Sequence, residues 1–253
     1  MMACEQSNLP FPVNRRRSLS YLATAAALPW LAGCSDPPSP LNVGTIVFPG
    51  YELLFLAREQ GLLPEPGIRL VELLSSTDSL RLLAAGRLQA ATLTLDEVLT
   101  AQADGLDLRV VLVLDISAGA DAVMVKPHVR GLSDLAGKRI LDVLAVRADV
   151  IPTHTVAIKQ LVAAHFEGRR RFFSAPAESW ALIAPRLQLP VADVPAAYRG
   201  LLLPDLAENR NMLRSGGLLE QSVQVIQRVF LAAGLLRQAV PTVSLIDTQF
   251  LPV

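Results

Sequence analysis

Thiols, aromatic rings and surplus charge are all scarce in this 253-residue chain. Its only cysteines, Cys4 and Cys34, lie near the amino terminus, which excludes a disulfide framework or a thiolate metal site in the rest of the chain. The three histidines, His128, His154 and His165, stand at no ligand spacing, so no metal site is expected. Twenty-three basic residues balance 23 acidic ones, and without a basic footprint to release counterions nucleic acid is excluded as a partner. Gly168 to Arg171 is the one basic cluster in the body and reads as a solvated helix end. No GxSxG, GxGxxG, HExxH or P-loop pattern occurs, so enzyme chemistry would have to rest on unpatterned residues. What the chain has in plenty is aliphatic side chains. Hydrophobic residues make up 51%, ample for a core in one large domain or two small ones.

Arg15-Arg16-Arg17 precedes an uncharged run, SLSYLATAAALPWLAG, that ends at Cys34. A positive segment, an apolar stretch too short for a permanent membrane span and small residues at its end have the form of a leader peptide. Leu31-Ala32-Gly33-Cys34 resembles the lipobox of bacterial lipoproteins, which implies cleavage before Cys34 and acylation of that residue. The paired arginines also suit a twin-arginine route, but the residues after them fit its pattern poorly. Ser35 to Pro40 is polar and proline-rich, a semi-extended tether between membrane and body.

The body alternates strands and helices. Leu41 to Phe48 reads as a strand, Pro49-Gly50-Tyr51 as the turn after it, and Glu52 to Gln60 as a helix stopped by Gly61. Gly67 to Leu74 is the next strand, and Ser75-Ser76-Thr77-Asp78 leads into a helix over Ser79 to Ala85. These hydroxyls fit either plain N-capping or an anion corner at a helix start. Ala90 to Leu93 is a short strand, and Thr94 with Glu97 has the spacing of a capping box for a helix ending at Gly105. Arg109 to Ile116 is a near-continuous aliphatic run, as in a strand covered on both faces within a parallel sheet. Ser117 to Asp121 breaks it, and Ala122 to Lys126 reads as a further strand. Open α/β sheets hold ligands in loops at the carboxyl ends of parallel strands, where Tyr51, Ser76, Thr77, Thr94, Asp96, Asp115 and Ser117 fall. Helices are expected over Pro152 to Arg170, Glu178 to Leu187, Ala192 to Leu201, Pro204 to Leu213 and Leu218 to Ala233. The last carries an apolar stripe of Leu219, Val223, Ile226, Val229 and Phe230.

The runs LTLDEVL, DGLDLRVVLVLDISAGADAVMVKP and LSDLAGKRI resemble the nitrate, sulfonate and taurine type of substrate-binding proteins that serve ABC importers. The resemblance implies an α/β, periplasmic binding protein-like II fold and a hinge between two lobes after the aliphatic strand. One departure is local: Gln89 stands where that family usually has an aspartate. Another is large. Gly137-Lys138-Arg139-Ile140 resembles the opening of the second lobe but passes at once into Leu141 to Asp149, which resembles the return strand to the first. The first lobe is therefore expected to be largely complete and the second truncated. The division expected is a lipoprotein signal peptide at 1–33, a tether at 34–41, and the first part of the first lobe at 42–116. The hinge with a remnant of the second lobe follows at 117–147, and carboxyl-terminal helices packing on the first lobe at 148–253.

The function so implied is capture of a small solute in the periplasm by a lipid-anchored monomer that hands it to ABC permease and ATPase subunits, without a cofactor. Loss of most of the second lobe would weaken binding. The solute's charge stays open, since a cation would suit Asp96 or Asp115 and an anion the Ser76 corner. Two other readings remain: a surface interaction protein using the uncovered lobe face, and an enzyme related to the pyrimidine-precursor synthases of this fold, whose cysteine-rich motif is absent here.

Overall fold

A computed structural model describes residues 39–64, 66–118, 140–242 and 244–253. The leader, Cys34, the strand expected at 122–126 and the segment at 132–139 lie outside the described residues.

Leu41–Thr45 forms β1, and Pro49 opens a 3-10 turn over Pro49–Tyr51 that runs into α1, Glu52–Glu59. Gly61 ends this unit with φ at 70°, a conformation that glycine adopts without a Cβ penalty. Ile68–Glu72 is β2 and Ser76–Ala84 is α2, three residues earlier in onset than the expected Ser79. The reason is the cap: Ser75 is extended and its hydroxyl accepts from the Asp78 amide at 3.2 Å. Ala90–Thr94 forms β3 and Leu95–Ala103 forms α3, where Glu97 accepts from the Thr94 amide at 3.0 Å as the capping box requires.

Leu108–Ser117 is β4, and Ile140–Arg147 is one continuous strand, β5. The sheet order is β2-β1-β3-β5-β4-β6, with β6 the two residues Leu201–Leu202. β1 pairs in parallel with β2 and β3, while β5 runs antiparallel between β3 and β4. The aliphatic β4 is thus buried as anticipated, but its ladder partners β5 and β6 are antiparallel. A strand covered by helices on both faces is apolar on both faces whichever way its neighbours run, so the pattern does not report direction. β1 to β4 nevertheless point the same way, and their carboxyl ends share one rim.

The long helix α4, Ile151–Ser174, runs past the expected Arg170 because Phe172 is buried with Leu53, Leu56 and Ile183. Pro176 then starts α5, Pro176–Leu187, at a first-turn position that needs no amide donor. The helix expected over Ala192 to Leu201 is not formed as one element. It breaks into a 3-10 turn, a single turn α6 (Val194–Ala197) and β6, which pairs with Ile116 and Ser117. The open edge of β4 offers ladder donors and acceptors there, and the Ala118 amide donates to the Gly200 carbonyl at 2.7 Å. Leu206–Leu213 is α7 and Leu218–Ala232 is α8. Of the stripe on α8, Leu219 and Val223 are fully buried and Ile226 packs half-buried against the same core, while Val229 is 56% exposed.

One core lies on the sheet face covered by α3 and α8, with Leu93, Val98, Val113, Val143 and Val223; the other, under α1 and α4, holds Leu54, Leu112, Leu144, Ile158 and Leu161. Gly168 lets α1 and α4 approach, since a Cβ there would stand 2.7 Å from the Leu53 carbonyl oxygen. Among the described residues no helix is long and apolar enough to cross a membrane.

Candidate functional site

The polar groups of the sheet gather where β3, β5 and β4 meet the rim. Register places Thr94 opposite Asp142, and Asp142 opposite Asp115, so the three lie in a row across adjacent strands on the face covered by α1 and α4. A β-bulge between Val113 and Asp115 makes this row. With unbroken pairing from Val113 opposite Val143, Asp115 would face Leu141; the extra residue brings it opposite Asp142 instead. One pleat deeper, the Thr92 hydroxyl donates to the Thr45 hydroxyl at 3.2 Å, and both are buried.

Tyr51 closes the row from above. It is 3% exposed, its ring meets Phe48 edge-on at 5.1 Å, and its phenol lies in the field of the Asp142, Asp115 and Glu97 carboxylates. Burial pushes the phenol well above its ordinary pKa range, and the Asp142, Asp115 and Glu97 carboxylates push it further, so it stays a hydrogen-bond donor. The 3-10 turn sets its position. Gly50 lies directly against the Asp115 carboxylate, leaving no room for a side chain.

Of the residues singled out from sequence, Tyr51, Thr94 and Asp115 come together here, with Ser117 buried two residues further along β4. Asp96 is half-buried in the first turn of α3. Ser76 and Thr77 sit apart, in the first turn of α2, with Thr77 exposed. That corner is already served: Ser75 caps it, and its hydroxyl donates to the Asp78 carboxylate at 2.8 Å, which places negative charge where an anion would bind. Plain capping accounts for these residues.

Asp142, Glu97 and the threonine pair were not singled out. Asp142 carried a legible signal, a lone carboxylate inside the aliphatic run Ile140 to Val146, like Asp115 in Val110 to Ile116. Tyr198 was also missed. It ends the turn before β6, its ring lies 4.8 Å from Phe172, and burial with the Glu52 and Asp115 carboxylates raises its pKa. Nothing in its sequence neighbourhood marks it, because the contact spans the whole body. Among the described residues no three His, Cys, Asp or Glu side chains converge to hold a metal ion.

No protein-family model matches the chain, and no curated protein sequence matches it. Solved structures do. The periplasmic aliphatic sulphonate binding protein from Escherichia coli superposes with a TM-score of 0.61 at 14% identity, over 84% of this chain and 93% of the other. The zinc-bound ligand-binding component of an ABC-type import system from Staphylococcus aureus gives 0.60 at 11%, over 84% and 97%. A Candida albicans protein described as exhibiting the generic periplasmic binding protein structural fold gives 0.59 at 14%, over 85% and 98%. At such identities the likeness is one of fold. This chain has the periplasmic binding protein fold, and β4 and β5, which bracket residues 118–139, pair along their lengths within a single sheet.

Proposed function

We propose that the protein is a solute-binding lipoprotein of an ABC importer of the nitrate, sulfonate and taurine type, its solute meeting the carboxylates of the sheet rim through a cationic or hydrogen-bond-donating group such as the ammonium of taurine. The observation that carries this reading is the row Thr94–Asp142–Asp115 under Tyr51, at the carboxyl ends of parallel-running strands in a periplasmic binding fold. Tyr51, Thr94, Asp96, Asp115 and Ser117 form the binding edge in this reading, and Ser76 and Thr77, in the capped first turn of α2, stand outside it. A monomer, anchored through Cys34 in the periplasm, would pass the solute to its permease and ATPase partners.

The truncation expected from the sequence bears on affinity. A two-lobed cleft buries about 70–90% of a small ligand, and one lobe cannot enclose it. If half the free energy of a micromolar site is missing, the remaining ~4 kcal/mol corresponds to millimolar binding. The test is calorimetric titration of nitrate, taurine, an alkanesulfonate and matched amines into wild type and Tyr51→Phe. Binding of at least one solute, weakened about tenfold by loss of the phenol hydroxyl, is expected. No heat from any solute at ten-millimolar-order concentration, or an undiminished Tyr51→Phe, removes the reading.

A further inference from the structure

A hollow of about 540 Å³ opens beside β6, and none of the rim groups Tyr51, Thr94, Asp115 or Asp142 lines it. Its walls are largely apolar, with Ile116 from β4, Leu202 from β6, Phe173 from α4 and Leu218 from α8. Phe173 and Leu202 keep 56% and 49% of their surface in water, which is costly for side chains of this size without a partner. The volume falls within the range of roughly 300–1,000 Å³ typical of small-molecule sites.

Among the described residues one cation borders the hollow, and it is held in place. Arg169 donates from Nε to the Leu203 carbonyl at 2.7 Å and lies 4.9 Å over the Phe173 ring. No described acceptor takes its remaining guanidinium N–H groups. Glu208 is the one carboxylate on the wall among the described residues, and it accepts from the Asp205 amide at 2.7 Å as part of the cap of α7. A fixed, donor-rich fork at the edge of an apolar hollow is complementary to a planar anion with a hydrocarbon body.

We propose that this hollow binds an amphipathic carboxylate of the short fatty-acid class, with the head group on Arg169 and the chain against Phe173, Leu202 and Ile116. The site is separate from the rim, so neither stands or falls with the other. The experiment is calorimetric titration of octanoate, with octylammonium as a probe of equal tail and opposite charge, into the full-length protein. Octanoate is expected to bind at least about tenfold more tightly than octylammonium. Leu202→Glu, which puts a carboxylate among the walls at an exposed position, should weaken octanoate about tenfold or more, and Tyr51→Phe should leave it unchanged. Phe173→Ser, equally at the surface, serves as the second variant, and circular dichroism checks that both fold. Equal binding of the two probes, no binding of octanoate at millimolar concentration, or full affinity in both folded hollow variants overturns the proposal. Loss of octanoate binding in Tyr51→Phe overturns it too, by tying the effect to the rim.

Discussion

A methyl group on Gly50 has nowhere to go. It would fall on the Asp115 carboxylate, which is fully buried, so either the 3-10 turn or β4 must shift. Gly50→Ala is expected to lose about 2–4 kcal/mol of stability, as overpacking against a buried charge does, and to move Tyr51 away from Asp142. Gly61→Ala is the control, since it meets open space and bears only left-handed strain of about 1–2 kcal/mol. Urea midpoints that rank the two variants the other way would show that the Gly50 contact relaxes freely. His165 offers a second test. It is fully buried, neither ring nitrogen has a hydrogen-bond partner among the described residues, and burial, with Arg169 adding, lowers its pKa from 6.5 to about 3. The folded protein therefore keeps the imidazole neutral, while the unfolded chain takes up a proton below about pH 6.5. Stability is full above pH 6.5 and falls as pH drops towards 3, by up to about 5 kcal/mol at the end of that window. His165→Leu should leave stability at pH 7 equal or higher and flatten the decline between pH 6.5 and 4, read from urea midpoints at each pH. A variant that declines in parallel with wild type would acquit this residue. The mid-helix position of His165 was plain in the sequence, but its lack of partners was not, because the surrounding groups come from other elements.

One arginine ties α5 to α1 and β2, beside the apolar contact of Ile183 with Leu53 and Leu56. Arg186 pairs with the fully buried Glu52 at 2.5 Å and with Glu72 at 2.8 Å, and its guanidinium lies 3.3 Å over the Phe55 ring. Burial raises the Glu52 pKa even against the pull of Arg186, a sign that desolvation costs this carboxylate more than its partner returns. Arg186→Met is accordingly expected to cost about 3–5 kcal/mol by stranding Glu52, and Glu52→Gln in the same chain should restore most of it. Denaturant midpoints of the two single variants and the double variant check this. If the double variant is no better than Arg186→Met, the damage comes from lost stacking on Phe55. Starts and stops of elements were legible where local chemistry decides them, as at the Thr94 cap and the Gly61 stop. Two failures share one cause. The bulge that aims Asp115 and the two-residue β6 in place of a helix are both set by what lies across the ladder, and no pattern within either segment reports its partner.

For the molecule as a whole, attachment and fold are separate questions. The basic, apolar and small-residue order ending at Cys34 predicts acylation, and at about 0.8 kcal/mol per buried CH₂ two or more chains anchor stably where one does not. Cells fed a palmitate analogue should label the wild type and leave Cys34→Ser unlabelled; label on both, or on neither, ends the lipoprotein reading. The short spacing between the β4 and β5 sequences was readable because it is a matter of chain length: the residues between them are too few to form a domain, and β5 lies between β3 and β4 in the sheet. The sequence by itself determined the alternation of strands and helices, their apolar faces and the identity of the turn residues, since propensity, capping and hydrophobic period act within a few positions. Only the tertiary structure decided which polar side chains meet. Asp115, Asp142 and Thr94 lie far apart along the chain and become neighbours through register. Ser76 and Thr77, chosen for the same hydroxyl chemistry, are left aside because a helix start satisfies them locally. Register follows from burying one face of each strand at once, a condition on the whole sheet that no single segment carries.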